Sequence, residues 1–177
     1  MNIKNNRRVI MTKKIIKDTF IEMLEKEDIS KIHIRDLCNK ADINRSTFYK
    51  YYDSQYSVLA EMEQELLEQI KEKCDIKSDN SKNLCNMLSF LQSNKKVYKI
   101  LFNSSTNHSF AKKIFDLPII LESLNEKIPC KDNFNYKQTY ILQGSYHIVF
   151  DWLNNDCKES PEIISDILIN CIKQNLK

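Results

Sequence analysis

Between residues 34 and 52 the apolar positions Ile34, Leu37, Cys38 and Ala41 fall at i, i+3, i+4 and i+7, one stripe of a short helix. The stripe stops at Asp42-Ile43-Asn44. Asn44 is placed to cap a second helix by accepting a hydrogen bond from a free backbone N–H, and Ile43 is spaced to pack on Phe48 as a hydrophobic staple. The stretch therefore predicts helix-turn-helix. Upstream, Thr12 is the expected cap of the first helix, with Met11 and Ile16 as a second staple. Ile16, Phe20, Met23 and Leu24 line its buried side, and it runs to about Glu27. Ile32 and Leu37 make a third staple around His33. Three helix starts thus use one device, and a compact three-helix unit follows.

After Tyr52 the pattern lengthens. Asp53 or Ser54 caps a connector helix in which Val58, Met62, Leu66 and Ile70 repeat every four residues. Twenty such residues reach about 30 Å, enough to join a small domain, residues 1–52, to a larger one, residues 53–177. A polar loop, CDIKSDNSKN, ends the connector, and residues 84–102 supply two short apolar helices. Ser109 to Ile128 is helical by pattern, with a kink or break expected at Pro118, and a loop spans Pro129 to Asn135. From Tyr136 to Asn154 the helix is apolar on nearly every side, so more than its own domain's core must cover it. The last helix opens with Ser160 as cap and Pro161 and Glu162 in its first turn, then carries Ile164, Ile167, Leu168, Cys171 and Ile172. Pairing of these two helices with their symmetry mates predicts a homodimer seam at Gly144, Ile148, Trp152, Ile164, Ile167, Leu168 and Cys171. Gly144 costs roughly 1 kcal/mol relative to alanine in a helix, which implies a close helix crossing or room for a ligand.

Composition narrows the picture. In 177 residues with 42% hydrophobic side chains there is one glycine and there are three prolines, which argues for an all-α fold, since sheet-rich chains need glycine at their turns. No apolar run is long enough to span a bilayer, and MNIKNNRRVIMTKK lacks the features of a signal peptide, so a cytoplasmic protein without membrane contact is expected. Six cysteines, at 38, 74, 85, 130, 157 and 171, form no C-x-x-C and pair with no spaced histidines. Most of them read as small core residues, with a redox switch as the minor alternative because a buried thiol is usually inert, and no metal site or cofactor is expected. An enzyme is disfavoured as well. One glycine excludes a phosphate-cradling loop, His108 and His147 have no catalytic partner in the sequence, and no catalytic residue is assigned.

Charge changes the reading more. Residues 1–52 hold 12 Lys and Arg against 7 Asp and Glu, whereas residues 53–177 hold 15 against 17. The first 17 residues carry six basic side chains and no acid before Asp18, which suggests a flexible cationic arm. With Phe48 and Tyr52 turned inward, the second helix of the motif presents Arg45, Ser46, Tyr49 and Lys50, with Thr47 near its start. Arg and Lys pair with phosphates or guanine edges, and hydroxyls donate or accept without adding charge, so this surface suits a DNA groove. His33 at a helix start is either a surface histidine or a phosphate contact.

The block IRDLCNKADINRSTFYKYYDSQYSVL resembles the DNA-binding region of the tetracycline-repressor (TetR) family of bacterial transcription regulators, above all in NRSTFYKYY. SFLQSNKKVYKILF and LQGSYHIVFDWLNNDCKESPEIISDIL are similar to the regulatory half of the subgroup typified by regulators of dihydroxyacetone-kinase operons. The resemblance implies an all-α homodimer that binds a palindromic operator through its N-terminal helices, with a small-molecule effector and the dimer seam in the C-terminal ones. It places His33 and Arg35 near phosphate, Arg45, Ser46, Thr47, Tyr49, Lys50 and Tyr51 on the recognition surface, and Gln55 at the start of the connector. Three positions depart from the family pattern: Asp42 for glycine, Tyr52 for phenylalanine, and Gln55 for a phosphate-contacting lysine. Aspartate tolerates the left-handed conformation, whereas losing the lysine weakens binding.

Two function classes follow. One is a ligand-responsive transcription regulator, with repression implied more often than activation. The other is a helical co-regulator or interaction protein on the same scaffold, with weak or no DNA binding, which Gln55 and the modest net charge support. Tyr98, Phe102, Phe110 and His147 could line a pocket, but an aromatic at helical spacing is more often plain core, and the sequence assigns no effector residue.

Overall fold

A computed structural model of the chain describes residues 3–74, 80–104, 109–117, 120 and 134–174. The described residues are helices and turns with no strand, and the fold is all-α. The chain divides into two compact units, Met1–Glu65 and Leu66–Lys177.

The first unit begins with α1, Ile3–Leu24. This helix corrects two expectations. The basic segment from Ile3 onward is helical rather than a flexible arm, and Thr12 lies inside the helix, where its hydroxyl donates to the Arg8 carbonyl at 2.9 Å. A threonine hydroxyl can cap a free N–H or donate back to the previous turn, and here it does the second. The helix also stops three residues short of Glu27. Its inner face is as read, with Ile16 and Phe20 fully buried and Met23 and Leu24 nearly so. Asp28 then caps a single 3-10 turn, Ile29–Lys31, by accepting from the Ser30 N–H and hydroxyl, bonds that hold its carboxyl below the usual value.

Helix α2, Ile34–Lys40, starts at His33 and buries Leu37 and Cys38. It ends in a Schellman motif: Asp42 N–H donates to the Asn39 carbonyl at 3.3 Å and Ile43 N–H to the Cys38 carbonyl at 3.0 Å. Asp42 takes φ 51°, so aspartate does fill the left-handed position usually given to glycine. Helix α3, Arg45–Phe48, is only four residues long. Asn44 stands at its cap position but makes no side-chain cap hydrogen bond, contrary to expectation. Helix α4, Gln55–Lys73, is capped by Ser54, whose hydroxyl accepts from Ser57 N–H at 3.4 Å while Ser57 Oγ accepts from Ser54 N–H at 3.1 Å. In this helix Val58, Met62, Leu67 and Ile70 are buried, and Leu66 is half-exposed.

The second unit holds α5, Asn80–Ser93; α6, Lys95–Ser104; α7, Ser109–Phe115; α8, Phe134–Asn154; and α9, Pro161–Gln174. Helix α9 packs chiefly on α5, and α8 lies against α6, α7 and α9. The core combines Leu84, Met87, Leu88 and Leu91 of α5 with Tyr98, Leu101 and Phe102 of α6 and Val149, Trp152 and Leu153 of α8. The end of α8 repeats the device of α2: Asp156 N–H donates to Leu153 and Cys157 N–H to Trp152, with both residues left-handed. Ser160 Oγ accepts from Ile163 N–H at 3.5 Å and caps α9 as read. The loop expected to reach Asn135 ends earlier, because α8 begins at Phe134. Pro118, His108 and Cys130 lie outside the described residues. No described helix is long and apolar enough to cross a membrane.

Candidate nucleic-acid interface

Phe48 organises the surface. It is fully buried, with its ring edge-on to Tyr49 at 5.6 Å and tilted against Tyr52 at 5.7 Å. Its carbonyl accepts from Tyr51 N–H at 2.9 Å and Tyr52 N–H at 3.0 Å, which closes the chain after α3 into a tight turn. One buried ring and one turn thus fix which way the neighbouring side chains point. Arg45, Ser46, Tyr49 and Lys50 are exposed, and Thr47 and Tyr51 are half-buried. Arg45 and Lys50 have no ion-pair partner among the described residues.

The residues flanking the motif are less uniform. His33 is exposed at the start of α2 and makes no side-chain cap bond. Arg35 is exposed, but its Nε donates to Asp36 Oδ1 at 3.0 Å, so part of its charge is balanced within α2. Gln55 is half-buried at the first position of α4. Beside it Tyr56 is 51% exposed, an aromatic that the apolar pattern did not single out. Arg7 and Arg8 are exposed on α1.

Ion pairs tie α1 to the start of α4. Lys13 reaches Glu61 at 2.8 Å, and Lys17 reaches Glu61 at 2.7 Å and also Glu65. Burial favours the neutral form of Glu61, yet the hydrogen bonds from Lys13 and Lys17 outweigh it and hold the carboxyl below its usual value. For Lys17, burial is likewise outweighed, by bonds to Glu61 and Glu65, and its amine is held above its usual value. Lys13 also lies over the Tyr52 ring at 5.3 Å. Burial and then the charges of Glu61 and Glu65 push the Tyr52 phenol up, although its hydroxyl has no partner at hydrogen-bond geometry.

In the second unit the seam candidates divide. Trp152, Ile164 and Leu168 are buried within the protomer, and the Trp152 indole donates to the Glu159 carbonyl at 2.9 Å. Gly144, Ile167 and Cys171 are exposed and Ile148 is half-exposed, as Tyr136, Tyr140 and Ile163 are also open to solvent. A Cβ added at Gly144 meets nothing within 4 Å, so no close helix crossing explains this glycine inside the protomer. Tyr98, Phe102 and Phe110 form one aromatic cluster, extended by Tyr146 stacked on Phe102 at 6.0 Å. His147 instead lies on the exposed side, with Nδ1 2.8 Å from the Gln143 carbonyl. Cys38, Cys74 and Cys157 are buried as expected, whereas Cys85 is half-buried and Cys171 exposed. No group of three or more His, Cys, Asp or Glu among the described residues is arranged to hold a metal.

A family model described as the transcriptional regulator C-terminal region, of TetR type, matches residues 78–174. The uncharacterized HTH-type transcriptional regulator YxbF of Bacillus subtilis (strain 168) is 23% identical over 168 residues. That match covers 90% of this chain, and the chain spans 44% of the relative's length. A solved TetR transcriptional regulator from Streptococcus agalactiae 2603V aligns with TM-score 0.78 at 21% identity, over 96% of this chain and 98% of that one. The dihydroxyacetone kinase operon activator DhaS aligns with TM-score 0.55 at 19% identity, over 94% and 97%. The two structural likenesses show that the fold is shared.

Proposed function

From the membership of this chain in the TetR family of transcriptional regulators, we propose that it is a ligand-responsive repressor that binds a palindromic operator as a homodimer. The observation that carries the DNA-binding part is the outward set Arg45, Ser46, Tyr49 and Lys50, which holds two unpaired cations and two hydroxyls on a frame anchored by Phe48. Hydroxyls and cations on a short, stiff support can reach base edges and phosphates together. Thr47 and Tyr51 complete the surface from its margins, His33 and Arg35 approach phosphate at the start of α2, and Gln55 lies at the start of α4.

Dimerisation through α8 and α9 is the second part of the proposal. Exposed Gly144, Ile167 and Cys171 with half-exposed Ile148 form the contact layer, and Trp152, Ile164 and Leu168 support it from beneath. A dimer is what a two-fold operator requires, since one short recognition element reads only a half-site. Repression follows where the operator overlaps a promoter. A small molecule bound in the second unit shifts the balance between DNA-binding and released states.

The test is binding of the purified protein to the DNA upstream of its own gene, measured against scrambled DNA at several salt concentrations, together with sedimentation at micromolar protein. Tight, sequence-selective, salt-dependent binding by a dimer supports the proposal. A protein that sediments as a monomer and binds both DNAs equally weakly refutes it and favours the co-regulator reading that the half-buried Gln55 supports.

A further inference from the structure

We propose that the groove between the last turn of α4 and the outward stripe of α5 binds a small hydroxylated organic anion. This rests on the reading of the chain as an effector-responsive regulator and gives that effector a chemical class. The groove has a volume of about 320 Å³ and is lined by Lys73, Asn86, Ser89, Phe90 and Ser93. That lies at the small end of the ~300–1,000 Å³ typical of ligand pockets. The four α5 residues stand at i, i+3, i+4 and i+7, one face of the helix, while Leu84, Met87, Leu88 and Leu91 take the opposite, fully buried face.

Hydrogen bonds already made within the protein fix the polarity of this face. Ser89 Oγ donates to the Cys85 carbonyl at 2.8 Å, Ser93 Oγ donates to the Ser89 carbonyl at 2.8 Å, and Asn86 Nδ2 donates to the Lys73 carbonyl at 3.3 Å. A serine that has committed its one hydrogen keeps only lone pairs to offer, and Asn86 keeps its Oδ1 together with its second N–H. A face with more acceptors than donors suits a ligand with several hydroxyl donors. Lys73 adds the full charge and has no ion-pair partner among the described residues, so a carboxylate or phosphate completes the match.

A second observation points the same way. Phe90, half-buried, lines the groove, and its ring meets that of Tyr98 edge-on at 6.1 Å. Tyr98 is fully buried, stacked on Phe110 at 5.9 Å, and its hydroxyl has no hydrogen-bond partner among the described residues. Native cores pair nearly all such groups, so an unpaired phenol one ring behind a polar groove marks a place where a ligand hydroxyl gains a bond. The proposed ligand lies with its anionic end at Lys73 and its far end past Phe90 toward Tyr98.

Calorimetry on the full chain tests this with gluconate and glycerol phosphate as hydroxylated anions, sorbitol as a polyol without charge, and hexanoate as a carboxylate without hydroxyls. The expected result is one gluconate or glycerol phosphate per chain, with sorbitol and hexanoate at least about tenfold weaker. Lys73→Met should weaken the anion about tenfold and leave operator affinity in the absence of ligand unchanged. Tyr98→Phe should raise the melting temperature of the unliganded protein while lowering anion affinity, a split that a purely structural tyrosine would not produce. Failure of both anions to bind at millimolar concentration, equal binding of sorbitol or hexanoate, or indifference of the anion to both substitutions overturns the proposal. Operator binding in the same preparations separates the two readings. A protein that binds DNA and neither anion refutes the groove alone, and one that binds the anion and no DNA refutes the regulator alone.

Discussion

Replacing Arg45 and Lys50 one at a time by alanine distinguishes base reading from phosphate contact. Both side chains are exposed and carry no ion pair among the described residues, so each substitution should leave folding stability within about 0.5 kcal/mol and act on DNA binding alone. If Arg45 reads a guanine edge, its loss removes about 1–3 kcal/mol per half-site, or about 2–6 kcal/mol across the two half-sites of the proposed dimer, and relaxes discrimination at that base. If Lys50 contacts phosphate, its loss weakens all sequences alike and flattens the log K against log salt slope by about 0.9 per protomer, about 1.8 per dimer. Arg35 serves as the internal comparison. Because its Nε is 3.0 Å from Asp36 Oδ1, part of its charge is already balanced, and Arg35→Ala should change the slope less than Lys50→Ala. Fluorescence anisotropy with labelled operator at several salt concentrations reads all three. Wild-type affinity and slope in both Arg45→Ala and Lys50→Ala, with the circular dichroism spectrum intact, would refute the placement of the recognition surface.

Gln55→Lys should raise operator affinity and steepen the salt slope by about 0.9 per protomer without altering specificity, and an unchanged slope would show that this position does not face DNA. Asp42→Gly should stabilise the fold by about 0.5–1 kcal/mol in urea denaturation, since φ 51° strains an L-residue and Asp42 is exposed with no packing to lose. Glu61 is held below its usual 4.5, so its contribution is present above that pH and fades as pH falls through the lowered value. Lys17, held above its usual 10.5, contributes below that pH and fades as pH rises through the raised value. Thermal melts from neutral pH downward should therefore show a shallower acid loss in Glu61→Gln than in the wild type. Ile167→Glu, at an exposed position of α9, should give helical monomers in sedimentation, whereas Trp152→Glu, at a buried position of α8, should unfold the second unit; dimers from Ile167→Glu would move the seam elsewhere.

Where a local rule has one physical outcome, the sequence was readable. The staple positions Ile32, Leu37 and Phe48 are buried, Ser54 and Ser160 cap their helices, and Asp42 takes the left-handed turn, whereas Met11, expected in a staple at a helix start, lies inside α1 and is 63% exposed. Where one residue type serves two outcomes, it was not. Thr12 resembles a cap because a hydroxyl that accepts from a helix start can equally donate to the fourth carbonyl back, and nothing in MNIKNNRRVIM breaks a helix. Asn44 has the right chemistry and position, but α3 ends after four residues without its side chain joining in. The four-residue repeat of α4 was readable at three of its positions: Val58, Met62 and Ile70 are buried, whereas Leu66 is half-exposed and Leu67 beside it is buried instead.

The recognition surface and the seam differ in how legible they were, for a reason that concerns what covers a side chain. For Arg45, Ser46, Tyr49 and Lys50 the question was only whether they point outward, and the buried Phe48 beside them answers it from spacing alone. For Trp152, Ile164 and Leu168 the pattern reports that water is excluded but not by which chain. Packing of α9 on α5 and α8 buries these three inside one protomer. The residues free to meet a second copy are those left over: Ile163 and Ile167 one turn apart on α9, and Tyr136, Tyr140 and Gly144 one turn apart on α8. These two leftover stripes share the i, i+4 spacing of a helix face, and Gly144 has open space in front of it where any side chain would stand. A glycine that no neighbour within its own chain requires, set in an exposed apolar stripe, is what a close approach by a second helix would demand, and this is the argument for proposing the seam on the outer faces of α8 and α9 rather than on their most apolar residues.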